Sequence, residues 1–339
     1  MTIKRNFFKL FVLFGLFIGL VFSLSLRQLY KVELESLKIY KPGFLSIKGG
    51  KLIIWDAGQG KFYLLSKEGK FLKSFGKKGQ GPGEYQQAVG FGTYDSKIWL
   101  LDVSQKILEF DLNGNFLNEK KLNFFKKGAL RTPELFFENG AALVNESKVE
   151  TGQIRRSLIL VHNDKEKIIA FATMPVGPKI DMKKVTSYAY TCNDRICYVV
   201  KDKKKFSVYR LDLKTAEMRL FMEKKFKRVP YTEEELKEIK ERWESKKKAN
   251  PMLAGITIEF DPLKPAISDL VTDKKGNLYL FLSSKGNKKC ILVKYNNKGK
   301  KEGEARITCP ALAAVQEGVM YVIQEGGEDN FYLLAYKMQ

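Results

Sequence analysis

The chain carries a single histidine, His162, together with four cysteines and ten prolines in 339 residues. One imidazole excludes a multi-histidine zinc site and confines any catalytic histidine to one position. Acid is also scarce, with 38 Asp and Glu against 60 Lys and Arg, which leaves a net charge of +22. No G-x-S-x-G, Walker A or H-E-x-x-H pattern occurs, so the chemistries tied to those motifs have no footing. What is present is 27 glycines, 12% aromatic residues and 44% hydrophobic residues. That balance describes a globular, turn-rich β protein rather than a helical bundle or a disordered chain.

The first residues read as a targeting segment. Lys4, Arg5 and Lys9 make a basic start, and Leu10 to Leu26 follows without a charge. The run is slightly short for a spanning helix, which needs about 20 apolar residues. Ser23 and Ser25 are spaced like a signal-peptidase site, with the cut after Ser25. Residues 1–26 are thus a signal peptide or an N-terminal membrane anchor, and either would export the rest of the chain. No cysteine follows the run, which argues against a lipoprotein.

Beyond it, two stretches repeat. LIIWDAGQGKFYLLSKEGKFL (52–72) aligns with IWLLDVSQKILEFDLNGNFL (98–117), Asp56 on Asp102 and Phe71 on Phe116. Each copy reads as apolar strand, polar turn, strand, glycine turn, strand, the pattern of an antiparallel meander. A period in the mid-forties predicts propeller blades. Weaker copies begin near residues 140, 195, 268 and 313, and the last supplies only three strands. Residues 30–40 (YKVELESLKIY) alternate like an edge strand and are expected to complete the last blade by pairing with 331–338. The domain is therefore read as a six-bladed β-propeller over residues 30–339, with a helical insertion at about 229–263. Within the insertion Thr232 and Glu235 form a capping box, and Leu236, Ile239 and Trp243 make one apolar stripe. Its helix is either filler on a blade edge or a lid over one face.

The loop GKKGQGPGEY (76–85) closely resembles the G-x-G-x-G-P-G-E-F/Y signature of bacterial six-bladed propellers of the NHL-repeat and TolB-like group. Gly79, Gly81, Pro82, Gly83 and Glu84 are in place, with Tyr85 as the aromatic. The resemblance covers roughly residues 44–120; the later blades match only in strand rhythm. It implies a ring that hosts binding scaffolds, lactonases, lyases and dehydrogenases, and so speaks to fold more than to function. The zinc-dependent propeller lyases need several histidines, so that branch is closed. A lactonase-like divalent site would draw on Glu84, Asn145, Asp194 and Asp269, where loops reach the axis. The loop glycines also have a structural reading, a tight crossing between blades.

Asp56 and Asp102 are expected to bond turn amides, and His162 to be structural. Cys192 and Cys197 flank a tight turn, and Cys290 and Cys309 fall in neighbouring strands. They are read as disulfides or buried thiols, since C-x4-C suits a zinc ribbon poorly. Long loops at 76–90, 145–156, 172–187 and 229–263 share one face, where a ligand is expected. The nominated contacts are Gly79, Gly81, Gly83, Glu84, Tyr85, Phe91 and Trp243, with Arg155 and Arg156 for an anion. Together these readings favour an exported, non-catalytic binding or protein-interaction scaffold that needs no cofactor. An envelope protein or an anionic polymer or lipid would be its partner, and nucleic acid would not. The alternative is a metal-dependent lactonase-like hydrolase.

Overall fold

The computed structural model describes residues 23–121, 130–137, 139–163, 165–286, 288–327 and 330–339. Six four-stranded antiparallel sheets follow one another along the chain. Blade one pairs Pro42–Lys48, Lys51–Asp56, Lys61–Ser66 and Phe71–Phe75, and blade two Ala88–Tyr94, Lys97–Asp102, Lys106–Asp111 and Phe116–Lys121. Blade three pairs Leu130–Phe136, Ala142–Glu150, Gln153–His162 and Lys165–Pro175. Blade four pairs Ala189–Cys192, Ile196–Val200, Ser207–Asp212 and Met218–Glu223. Blade five pairs Ile267–Thr272, Leu278–Ser283, Lys289–Tyr295 and Lys301–Thr308. Blade six takes Leu312–Gln316, Val319–Glu325 and Phe331–Met338 from the end of the chain and Leu26–Glu33 from its start.

The second strands show why the sequence takes this form. KLIIWD and KIWLLD are nearly unbroken apolar runs because neighbouring blades cover both sheet faces. Ile53 and Trp55 pack toward blade two against Ile98, Leu100 and Leu108, while Leu52 and Ile54 pack toward blade six against Tyr321 and Ile323. Similar apolar seams join blades three to four, four to five and five to six. Between blades two and three the described buried residues are Trp99, Leu101 and Ile107, with Tyr94 and Phe136 packed against them. These seams set the blades in chain order around an axis and close the ring.

The closing strand differs from the expectation in position. It runs Leu26–Glu33, in register from Leu26 opposite Met338 to Glu33 opposite Tyr332. Residues 35–37 instead form a 3-10 turn, and Lys38 takes φ 62°, which turns the chain into blade one. Ser23 to Ser25 also belong to the ring: Leu24 is buried, and Ser25 and Gln339 exchange backbone hydrogen bonds of 3.1 and 3.0 Å. The targeting reading of residues 1–22 lies outside the described residues.

Asp56 and Asp102 do the same work 46 positions apart. The Asp56 carboxylate accepts the amides of Tyr40, Lys41, Gly58 and Gln59. That of Asp102 accepts the amides of Gln86 and Gln87 and the Ser104 hydroxyl. Each therefore ties the end of a second strand to the crossing that enters its blade. Burial alone would raise the Asp102 carboxyl, but these donors outweigh it and hold it below the usual range.

The insertion carries helix α1, Glu233–Ala249. Thr232 accepts the Glu235 amide at 3.2 Å and Glu235 accepts the Thr232 amide at 2.8 Å, a complete capping box.

Candidate functional site

The first strands of the six blades surround an axial cavity of about 560 Å³. Its walls mix aromatic and aliphatic side chains, among them Phe44, Phe91 and Leu312, with Ser46, Thr93, Tyr190 and Thr272. Phe44 and Phe91 meet edge to face with ring centroids 5.6 Å apart. Asn193, Asp194 and Lys274 also line it. They belong to turns between first and second strands, so the cavity reaches the short-turn face. Toward the long-loop face the axis is flanked by longer polar side chains, which form two groups.

The first group centres on Glu134. Its carboxylate accepts Tyr190 Oη at 2.9 Å, bonds Asn145 Nδ2 and lies 3.6 Å from the Arg156 guanidinium. Tyr188 donates to the Asn145 side-chain oxygen. Burial pushes Tyr188 up to about 12 and Tyr190 well above its ordinary value, so both phenols stay neutral donors at any physiological pH. The second group is Asp269 and Lys203. Burial raises the Asp269 carboxyl and lowers the Lys203 amine, and each moderates the shift of the other. Asp269 accepts its neighbour's amide, Leu270 N, at 2.8 Å, while Lys203 donates to the Ser268 carbonyl.

At the short-turn mouth Lys48 and Asp194 form an ion pair of 3.3 Å. They belong to blades one and four, which lie opposite each other in a ring of six. The pair therefore spans the mouth of the cavity.

The residues singled out from sequence separate into three places. Asn145, Asp194, Asp269, Phe91 and Arg156 come to the axis or beside it. The glycine loop does not. Glu84 folds back into its own loop, accepting the Gly81 amide at 3.0 Å and pairing with Lys77 at 2.9 Å, which holds its carboxyl below the usual range. A Cβ on Gly79 would fall 2.0 Å from Glu84 Oε2, and Gly83 takes φ +74° against the Phe116 ring. These glycines wrap a carboxylate and make a crossing. Tyr85 is only 1% exposed, with its hydroxyl on the Gly60 carbonyl. It is a core residue between blades one and two, which corrects its nomination as a ligand contact. Arg155 lies over the Phe171 ring at 4.5 Å.

The third place is the helix. Trp243 is half-buried with Nε1 enclosed and unbonded. Beneath the helix is a small cavity of about 270 Å³ edged by Tyr231, Ile239, Arg242, Lys288 and Glu325. Ionic contacts dock the helix: Glu235 to Lys264 at 2.5 Å and Arg242 to Glu325 at 2.9 Å.

Cys192 and Cys197 are directly paired across their hairpin and joined as a disulfide, and a second disulfide joins Cys290 of blade five to Cys309, just past its outer strand. His162 ends the third strand of blade three, half-buried and opposite Lys165. Among the described residues, no group of three or more His, Cys, Asp and Glu side chains converges as a metal site.

Sequence reading missed Glu134, Tyr188, Tyr190, Lys48 and Lys203. The Tyr188-x-Tyr190 alternation ahead of the apolar strand 196–200 was the available signal for an inner strand.

Among solved structures, the ring is similar to a Bacteroides fragilis protein provisionally described as exported, at 16% identity and a TM-score of 0.51, over 93% of this chain and 95% of that one. A member of the DUF4221 family from Bacteroides vulgatus aligns with a TM-score of 0.55 at 11% identity, over 94% of this chain and 99% of that one. At such identities the likeness is one of fold. No curated protein matches. The resemblance to the NHL and TolB-like group rests on the loop residues alone. A family model does match, over residues 41–305, and the chain belongs to that family, the domain of unknown function DUF4934.

Proposed function

We propose that this propeller is an exported binding or protein-interaction scaffold of the cell envelope rather than a hydrolase. The observation that carries this reading is how the polar side chains of a lactonase-like site are engaged. Glu84 serves its own loop, Asn145 bonds Glu134 and Tyr188, and Asp194 pairs with Lys48. A divalent ion would have to break several of these contacts to gather its ligands. The two disulfides support export, since such bonds persist in oxidising compartments. The net charge of +22 would draw the ring toward anionic partners. The long loops and the helix supply the variable surface on which a partner would be selected.

A screen of lactone and ester substrates with added divalent metals tests this reading. No turnover above background is expected with any metal. Turnover that a chelator abolishes would overturn the scaffold and install the hydrolase.

A further inference from the structure

We propose that the N-terminal segment is retained as a membrane tether, and that it holds the ring with its short-turn face against the bilayer. The inference rests on the export reading and takes it further, because it chooses between release and attachment.

The physical ground is Leu24. It lies before the signal-peptidase site suggested by Ser23 and Ser25, yet it belongs to the buried cluster between blades five and six that includes Phe281, Leu292 and Val322. Its amide donates to the Glu304 carbonyl at 2.9 Å, and Ser23 bridges Glu304 in parallel. Gly303, beside the bulge opposite Lys294 and Tyr295, fits the same packing. It sits inside the strand Lys301–Thr308, where glycine is ordinarily a loss. A Cβ there would come within 3.1–3.3 Å of the Leu24 side chain and backbone. The strand has thinned itself where Leu24 crosses it. A cut after Ser25 would remove the buried leucine, the backbone pair with Gln339 and the reason for the glycine together.

The geometry also fixes the direction of the tether. Leu26 pairs with Met338 at the end of a third strand, the corner where the other blades make their short turns. The described chain therefore begins on the short-turn face, at the outer rim of blades five and six. Between Lys9 and Ser23 there is no charge and no spacer. So short an uncharged run leaves no slack between the ring and an apolar core of about 30 Å. A tether without a spacer would keep the rim at the headgroup layer. Arg27 and Lys337, which are cross-strand partners, and Lys300 are the cations at that rim. The long-loop face and its helix then point away from the membrane, toward a partner.

The test is to express the full chain with a C-terminal tag in a bacterium, fractionate the cells, and take the intact mass. The tether predicts uncut chain in the membrane fraction, with the ring digested by protease added to spheroplasts. Soluble extracytoplasmic chain that begins at Leu26, or anywhere after the apolar run, overturns the tether and leaves export standing. Uncut chain protected from protease in spheroplasts overturns export itself. A Leu24→Ala change in the same chain is expected to lower the melting temperature by roughly 5 °C. An unchanged melt would remove Leu24 from the argument and with it the case for retention.

Discussion

Single buried side chains tie the walls of this ring together. Glu109 is the clearest case, in the blade-two wall that faces blade three. It is 3% exposed and is met by Tyr94, by Lys97 at 2.9 Å and by Lys120 at 3.3 Å. Burial alone would raise its carboxyl, but these donors outweigh it and bring it down to about 2. A carboxyl more acidic in the fold than in the open chain stabilises the fold when ionised. That contribution is complete above the ordinary value of 4.5 and fades as the pH falls toward about 2. Glu109→Gln should therefore be less stable than the parent near neutrality, with the gap narrowing as acid is added. Urea unfolding at about pH 7 and about pH 3 checks this. A gap that widens in acid would contradict the assignment.

At the scale of elements, helix α1 is the piece least committed to the ring. Its apolar stripe is only half-buried, and Glu235 is its one buried residue. Docking depends on the Glu235–Lys264 pair, whose ammonium also reaches the Ser284 and Gly286 carbonyls. Removing one partner of a buried ion pair leaves the other charge poorly compensated, typically a loss of about 3 kcal/mol or more. Glu235→Ala should thus release the helix while the blades stay folded. Hydrogen exchange is expected to speed up across residues 231–253 and to stay slow in the second strands of the blades. Unchanged protection of the helix would show that Trp243 and Ile239 dock it without the ion pair. That result would favour filler over lid.

For the whole molecule, what could be read in the chain followed how local the signal was. The Asp56 and Asp102 repeat, the apolar second strands and the capping box at Thr232 each lie within one short stretch, and each appears in the structure. The closing strand was displaced because its first residues, Leu24 to Leu26, continue the uncharged run that precedes them. The inner strands were harder, since Gly43, Gly90 and Gly92 interrupt their alternation. The axial site was least legible. Tyr190 meets Glu134 from 56 positions away and Lys48 meets Asp194 from 146, and no spacing rule connects such residues. Only the ring brings them together.

The central claim is that this ring works outside the cytoplasm, since both scaffold and tether depend on it. The most direct measurement is the oxidation state of its four cysteines in full-length protein taken from acid-quenched cells. The protein is alkylated before and after reduction and then weighed. The account predicts no alkylation before reduction and four alkylated cysteines afterward, at Cys192, Cys197, Cys290 and Cys309. Four cysteines alkylated without reduction would place the protein in a reducing compartment and contradict it.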